Sequence, residues 1–87
     1  MTVIADTPRV DTPAIPRGSS VRLAAAAPAL WRVIDRSGRV IGHIQALAEG
    51  AEVRYRARRF HARSRSFRDL GDFWSAADAV DCLRFAR

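Results

Sequence analysis

Val53-Arg54-Tyr55-Arg56-Ala57-Arg58 alternates apolar and basic residues without a break. In an extended strand successive side chains point to opposite faces. Val53, Tyr55 and Ala57 are therefore expected to face a core, and Arg54, Arg56 and Arg58 to form a ladder on the other side. The ladder opens a longer run: seven arginines lie between Arg54 and Arg68, with no acidic residue among them. Each guanidinium is a rigid fork of donors that suits phosphate oxygens and base edges. Nucleic acid is the leading expected partner, and an arginine-lined sheet face the leading surface.

The flanking residues decide what the strand belongs to. Trp31-Arg32-Val33-Ile34-Asp35 and Val40-Ile41-Gly42-His43-Ile44-Gln45 are short β-branched or aromatic runs, joined by the turn Arg36-Ser37-Gly38-Arg39. Ala48 to Glu52 connects them to the arginine strand. His61 to Arg65 turns the chain again, and Ser66 to Leu70 reads as a further strand ended by Gly71. Ser75 is a good helix N-cap, with Asp78 placing a carboxylate at the positive end of the dipole. Ala76, Val80 and Leu83 recur at helical spacing, and Arg84 and Arg87 lie at the favourable C-terminal end.

The expected fold class is α+β: a small antiparallel sheet of three or four strands packed on one C-terminal helix. Its core would be Trp31, Val33, Val40, Ile44, Val53, Tyr55, Phe67, Leu70, Phe73, Trp74, Val80 and Leu83. Residues 30–87 form this domain. Residues 1–29 carry Pro8, Pro13, Pro16 and Pro28 and show no sustained period, so they are expected to be a disordered tail.

At 87 residues the chain is one small domain, and a large ligand cavity is not expected. The net charge is +6 and every basic side chain is arginine. A GC-rich genome alone favours arginine codons, so the placement of the arginines carries more than their number. Cys82 is the only cysteine, which excludes an intrachain disulfide. No apolar run is long enough to span a membrane, and the N-terminus lacks the pattern of a signal peptide. The chain reads as cytoplasmic with no membrane partner. His43, His61 and Cys82 lack zinc spacing, so neither a metal nor another cofactor is expected. There is no phosphate-binding Gly loop, nucleophile elbow or triad to support catalysis or a small-molecule substrate.

Three stretches carry a family likeness: Tyr55-Arg56-Ala57-Arg58, Leu70-Gly71-Asp72-Phe73 and Ser75-Ala76-Ala77-Asp78-Ala79. With them, Val40 to Arg87 resembles the AP2-like and Arm-type DNA-binding modules found at the N-termini of phage tyrosine integrases. The resemblance implies three antiparallel strands on one helix, with the open sheet face entering the DNA major groove. Trp31 to Asp35 adds a strand such a module does not need, and Trp74 is bulkier than its usual residue. Recombinase activity is not implied. The all-arginine usage also resembles that of short chains from high-GC actinobacteria.

In this reading Arg54, Arg56 and Arg58 approach the groove, and Arg59, Arg63, Arg65 and Arg68 contact phosphates. Arg32 shares the ladder's face, and His43 adds a pH-sensitive contact. DNA is expected, and RNA remains open. A solvated face is the plainer alternative, with Asp35, Glu49 and Glu52 as internal partners of the ladder. Arg68 could pair instead with Asp69 or Asp72. A second class of function is a protein-interaction module whose open sheet or edge strand receives an acidic or extended partner. Trp31 and Trp74 are expected in the core; an exposed Trp on the arginine face would point to single-stranded substrates.

Overall fold

Alternation along the arginine strand holds, and it organises a larger sheet than expected. The computed structural model describes residues 12–16 and 18–85. Five strands, β1 (Val21–Ala27), β2 (Leu30–Asp35), β3 (Val40–Glu49), β4 (Glu52–His61) and β5 (Ser66–Phe73), precede one helix, α1 (Ala76–Phe85). Each strand pairs antiparallel with its chain neighbours, so the sheet is a meander in the order β1-β2-β3-β4-β5.

The core lies between one sheet face and α1. Trp31 stands opposite Ile44, and Ile44 opposite Ala57. All three are buried, as are Val33 and Ala46. The helix lays Ala79, Val80 and Leu83 onto this row. Its start is capped by Ser75, whose Oγ accepts the Asp78 N–H at 3.1 Å, and Arg84 in the last turn completes the dipole pattern. Gly42 permits the close approach of the last turn: a Cβ there would collide with Leu83 and lie 3.0 Å from the Arg58 carbonyl oxygen.

Several expectations are corrected. The sheet has five strands, because β1 arises from Val21-Arg22-Leu23-Ala24-Ala25-Ala26-Ala27, a segment assigned to the tail. Alanine has little strand preference of its own, so pairing with β2 and burial of Val21 decide this strand. Pro28 begins its turn and Ala29 takes φ 61°. Upstream, the Trp31 Nε1–H donates to Thr12 Oγ1 at 3.2 Å, and Ile15 packs on the core. The rest of the expected tail, residues 1–11 and 17, lies outside the described residues. Gly71 does not end β5, which runs on to Phe73. Val40, Phe67 and Trp74 are exposed where a core role was expected. Phe67 stands opposite Phe60 on the sheet face away from α1, Val40 lies at the hairpin end of β3, and Trp74 follows Phe73 out of the sheet.

The β2–β3 and β4–β5 turns share one end of the meander, here called the hairpin end. The helix runs back towards it, bringing Leu83 beside Gly42 and Arg59. The β3–β4 ladder stops at His43 and Arg58, short of this end. Beyond that point β3 continues to Val40 against β2, and β4 to His61 against β5. The sheet divides there into two arms.

Candidate nucleic-acid interface

The arginine ladder forms on the face away from the helix, but it is engaged by carboxylates. Arg56 makes a two-pronged contact with Asp72, Nε to Oδ1 at 2.8 Å and Nη2 to Oδ2 at 3.1 Å. Its Nη1 also lies 3.7 Å from Asp69 Oδ2. Arg58 donates from Nε to Asp69 Oδ1 at 2.8 Å and from Nη1 to Gln45 Oε1 at 2.9 Å. Arg54 reaches Glu49 Oε2 at 3.2 Å. The hydrogen bond from Arg56 holds the Asp72 carboxyl below the ordinary carboxylate range, and the same contact raises the Arg56 guanidinium.

Register explains why Asp69 and Asp72 both reach this face. Residues three apart on a regular strand point to opposite sides. Here Gly71 stands opposite Ala57 while Asp69 stands opposite Arg58, so Leu70 is an extra residue in β5. This bulge reverses the alternation, and both carboxylates meet the ladder. Among the acids expected to relieve the ladder, Glu49 does so. Asp35 is committed to its own turn, where Oδ1 accepts the Ser37 N–H at 2.9 Å, the Ser37 O–H at 2.6 Å and the Arg39 N–H at 3.0 Å. These bonds, Ser37's first, lower its pKa.

Cation–π contacts extend the ladder. The Arg54 guanidinium sits 4.8 Å from the Trp74 ring centroid, and that of Arg58 sits 4.7 Å from Phe67. Trp74 is 59% exposed, so an accessible indole borders the arginine face.

Arg59 departs from the expected phosphate track. Alternation puts it on the helix face, where Nη2 donates to the Leu83 carbonyl at 2.8 Å and satisfies an end group of α1. Arg22, Arg32, Arg36, Arg39, Arg63, Arg65 and Arg68 are exposed, and none forms an ion pair among the described residues. Arg36 and Arg39 lie in the β2–β3 turn, and Arg63 and Arg65 in the β4–β5 turn. Arg22 and Arg68 lie on the adjoining strand ends. Arg68 stands opposite Arg59 and pairs with neither Asp69 nor Asp72. The arginines without an ion pair are thus gathered at and near the hairpin end, where Asp35 is held by its own turn and Asp69 by Arg58.

Arg32 stands opposite His43, and His43 opposite Arg58. Partial burial first, then the Arg32 and Arg58 charges, push the His43 pKa down, so the imidazole is neutral at pH 7. Its ring meets Phe67 edge-on at 5.1 Å, and Phe67 meets Phe60 at 5.3 Å. The two phenylalanines are 38% and 46% exposed respectively, which leaves aromatic surface open beside the arginines.

Where the two arms separate lies a cleft of about 770 Å³. It is lined by Arg32, His43, Phe60 and Phe67 from the open face, and by Arg59, Leu83 and Arg84 from the helix side. Composition predicted no cavity of this size. The early end of the β3–β4 ladder creates it, and no local sequence pattern marks that end. The sequence does show Phe60 and Phe67 flanking a basic turn; Phe67 was expected in the core, and both are exposed.

The geometry defines a small α+β domain, a five-stranded antiparallel meander covered by one C-terminal helix. No family model, curated protein or solved structure matches the chain. No helix among the described residues is long and apolar enough to cross a membrane.

Proposed function

We propose that this domain is a nucleic-acid-binding module, without catalytic activity, that grips phosphates with the arginines of its hairpin end. The observation that carries the reading is that Arg36, Arg39, Arg63, Arg65 and Arg68 form no ion pair among the described residues, while the Asp35 carboxyl beside them is held by the β2–β3 turn. Like charges held this close repel one another, and a polyanion relieves the repulsion. Arg54, Arg56 and Arg58 then hold β4 to its neighbours and support the surface from behind. The likeness of Val40 to Arg87 to AP2-like modules favours DNA. The bulk of the contact moves from the open face to the hairpin end, because each ladder arginine already meets a carboxylate.

Fluorescence anisotropy of labelled duplex DNA, single-stranded DNA and RNA at several salt concentrations tests this reading. Binding is expected to weaken linearly with log salt, by about 0.9 in slope per duplex phosphate contacted. The triple variant Arg36→Ala, Arg63→Ala, Arg65→Ala is expected to show a shallower slope. Absence of binding at low salt by the folded protein removes the proposal.

A second reading rests on β1. This edge strand carries one charged residue, Arg22, in an otherwise apolar Val-Arg-Leu-Ala-Ala-Ala-Ala stretch, little protection for an edge. Addition of an extended partner strand there is the competing function. A dimer abolished by a Lys or Pro introduced into β1 would favour it.

A further inference from the structure

We infer that the cleft between the two arms is a site for one unpaired nucleotide, base and phosphate together. The inference rests on the proposal that this end of the domain takes nucleic acid, and it names what part of the polymer the cleft receives. The observations concern volume, charge and ring surface. At about 770 Å³ the cleft is within the range of small-ligand sites. Arg32, Arg39, Arg59 and Arg84 line it, and no carboxylate does. Arg59 is already fixed by the Leu83 carbonyl, and Arg84 lies 3.8 Å from Asp81. Arg32 and Arg39 have no ion-pair partner among the described residues and are available to an anion.

The other lining is aromatic. Phe67, Phe60 and His43 form a continuous edge-to-face cluster; the Arg58 guanidinium lies over Phe67, and the remaining surface of both phenylalanines is exposed. A bare phosphate needs no such wall, and an apolar ligand needs no guanidinium groups. A nucleotide uses both, its base against the Phe67–Phe60 wall and its phosphate among the arginines. A base paired within a duplex cannot enter, so the cleft favours single-stranded or frayed nucleic acid. A free mononucleotide presents the same chemistry.

His43 supplies an internal reporter. Partial burial first, then the Arg32 and Arg58 charges, depress its pKa, and Asp69 on β5 is paired with Arg58. An anion held by Arg32 offsets the charge contribution and a base over the ring deepens the burial contribution, so the His43 ring signals report occupancy of the cleft.

The test uses the full chain, with calorimetry for affinity and NMR for the His43 ring protons. The probes are a nucleoside 5′-monophosphate, the same nucleoside without phosphate, inorganic phosphate, and a short oligonucleotide as single strand and as blunt duplex. The monophosphate is expected to bind more tightly than either fragment and to shift the His43 ring protons, and the single strand to bind more tightly than the duplex. Phe67→Ala, shown folded by its amide spectrum, is expected to lose about tenfold or more for the monophosphate and single strand. Phe67→Trp restores the wall and the affinity.

A monophosphate that binds no better than inorganic phosphate, with an unchanged strand preference in Phe67→Ala, overturns the inference. If duplex binding then persists with a salt slope, the phosphate grip stands without the cleft. If neither polymer nor nucleotide binds, both fall. Monophosphate binding without polymer binding retains the cleft as a free-nucleotide site and removes the grip.

Discussion

The β4 ladder and the hairpin end use the same side chain for opposite purposes. In the ladder, Arg54, Arg56 and Arg58 each meet a carboxylate, at 3.2 Å, 2.8 Å and 2.8 Å. At the hairpin end, Arg36, Arg39, Arg63, Arg65 and Arg68 meet none among the described residues. The ladder has the more regular spacing and looks more like a recognition surface in the sequence. The hairpin end has the available charge. Regular spacing along a strand shows which way side chains point, whereas availability depends on what stands opposite, which register decides.

The largest expected effect separates the two regions by charge removal. Changing Arg36, Arg63 and Arg65 to Ala should reduce the log–log salt slope of duplex binding by up to about 2.7, at 0.9 per lost contact. Anisotropy across a salt series reads this directly.

A second experiment turns a ladder arginine into one of the other kind. Asp72→Asn removes the main partner of Arg56, leaving the 3.7 Å approach of Asp69. Nucleic-acid binding should gain, with a slope steeper by up to about 0.9, while thermal stability falls. The pH dependence has a definite sign. The Asp72 pKa is depressed in the fold, so its contribution is full above about pH 4 and is lost as acid protonates it. Thermal melts from pH 7 to pH 2 should show a smaller acid-induced loss in Asp72→Asn.

Backbone strain offers a subtler comparison. Arg65 takes φ 52° and Ala29 φ 61°, at opposite ends of the sheet. Glycine at either position removes the left-handed penalty but adds chain entropy, for a net gain of about 0.5–1 kcal/mol. Chemical denaturation should show both gains. Only Arg65→Gly should also lower the salt slope, so stability and binding move in opposite directions at one end and not at the other.

The smallest effect is that of His43. Its folded pKa lies below the ordinary imidazole value, so the unfolded chain binds the proton more readily. Stability should decline as pH falls below about 6.5 and level off once the folded imidazole is protonated. His43→Gln should flatten that part of the profile.

What could be read from the chain follows the same division. The alternation of Val53 to Arg58 gave the strand, its buried Ala57 and the face of the ladder, and Ser75 with Ala76, Val80 and Leu83 gave the helix. Both patterns are local. The partners of the ladder were hidden because Asp69 and Asp72 share its face only through the bulge at Leu70. β1 was hidden because an alanine run becomes a strand only where β2 offers an edge. Arg59 breaks the apolar–basic pattern after Arg58, yet it was expected on the phosphate track and instead meets the helix end. Trp74 was read as core, yet it stands exposed beside Arg54.

The most direct test exchanges the charges of one ladder pair and compares the result with the hairpin-end triple variant. Arg56→Asp combined with Asp72→Arg keeps the net charge and the cross-strand attraction while reversing which strand carries the guanidinium. With the folds of both proteins verified by amide spectra, salt-dependent anisotropy is measured on the same nucleic acid. A wild-type slope is expected for the exchanged pair and a much shallower slope for the hairpin-end triple. A collapse of binding in the exchanged pair, with the triple unaffected, would place the interface on the ladder and contradict the proposal.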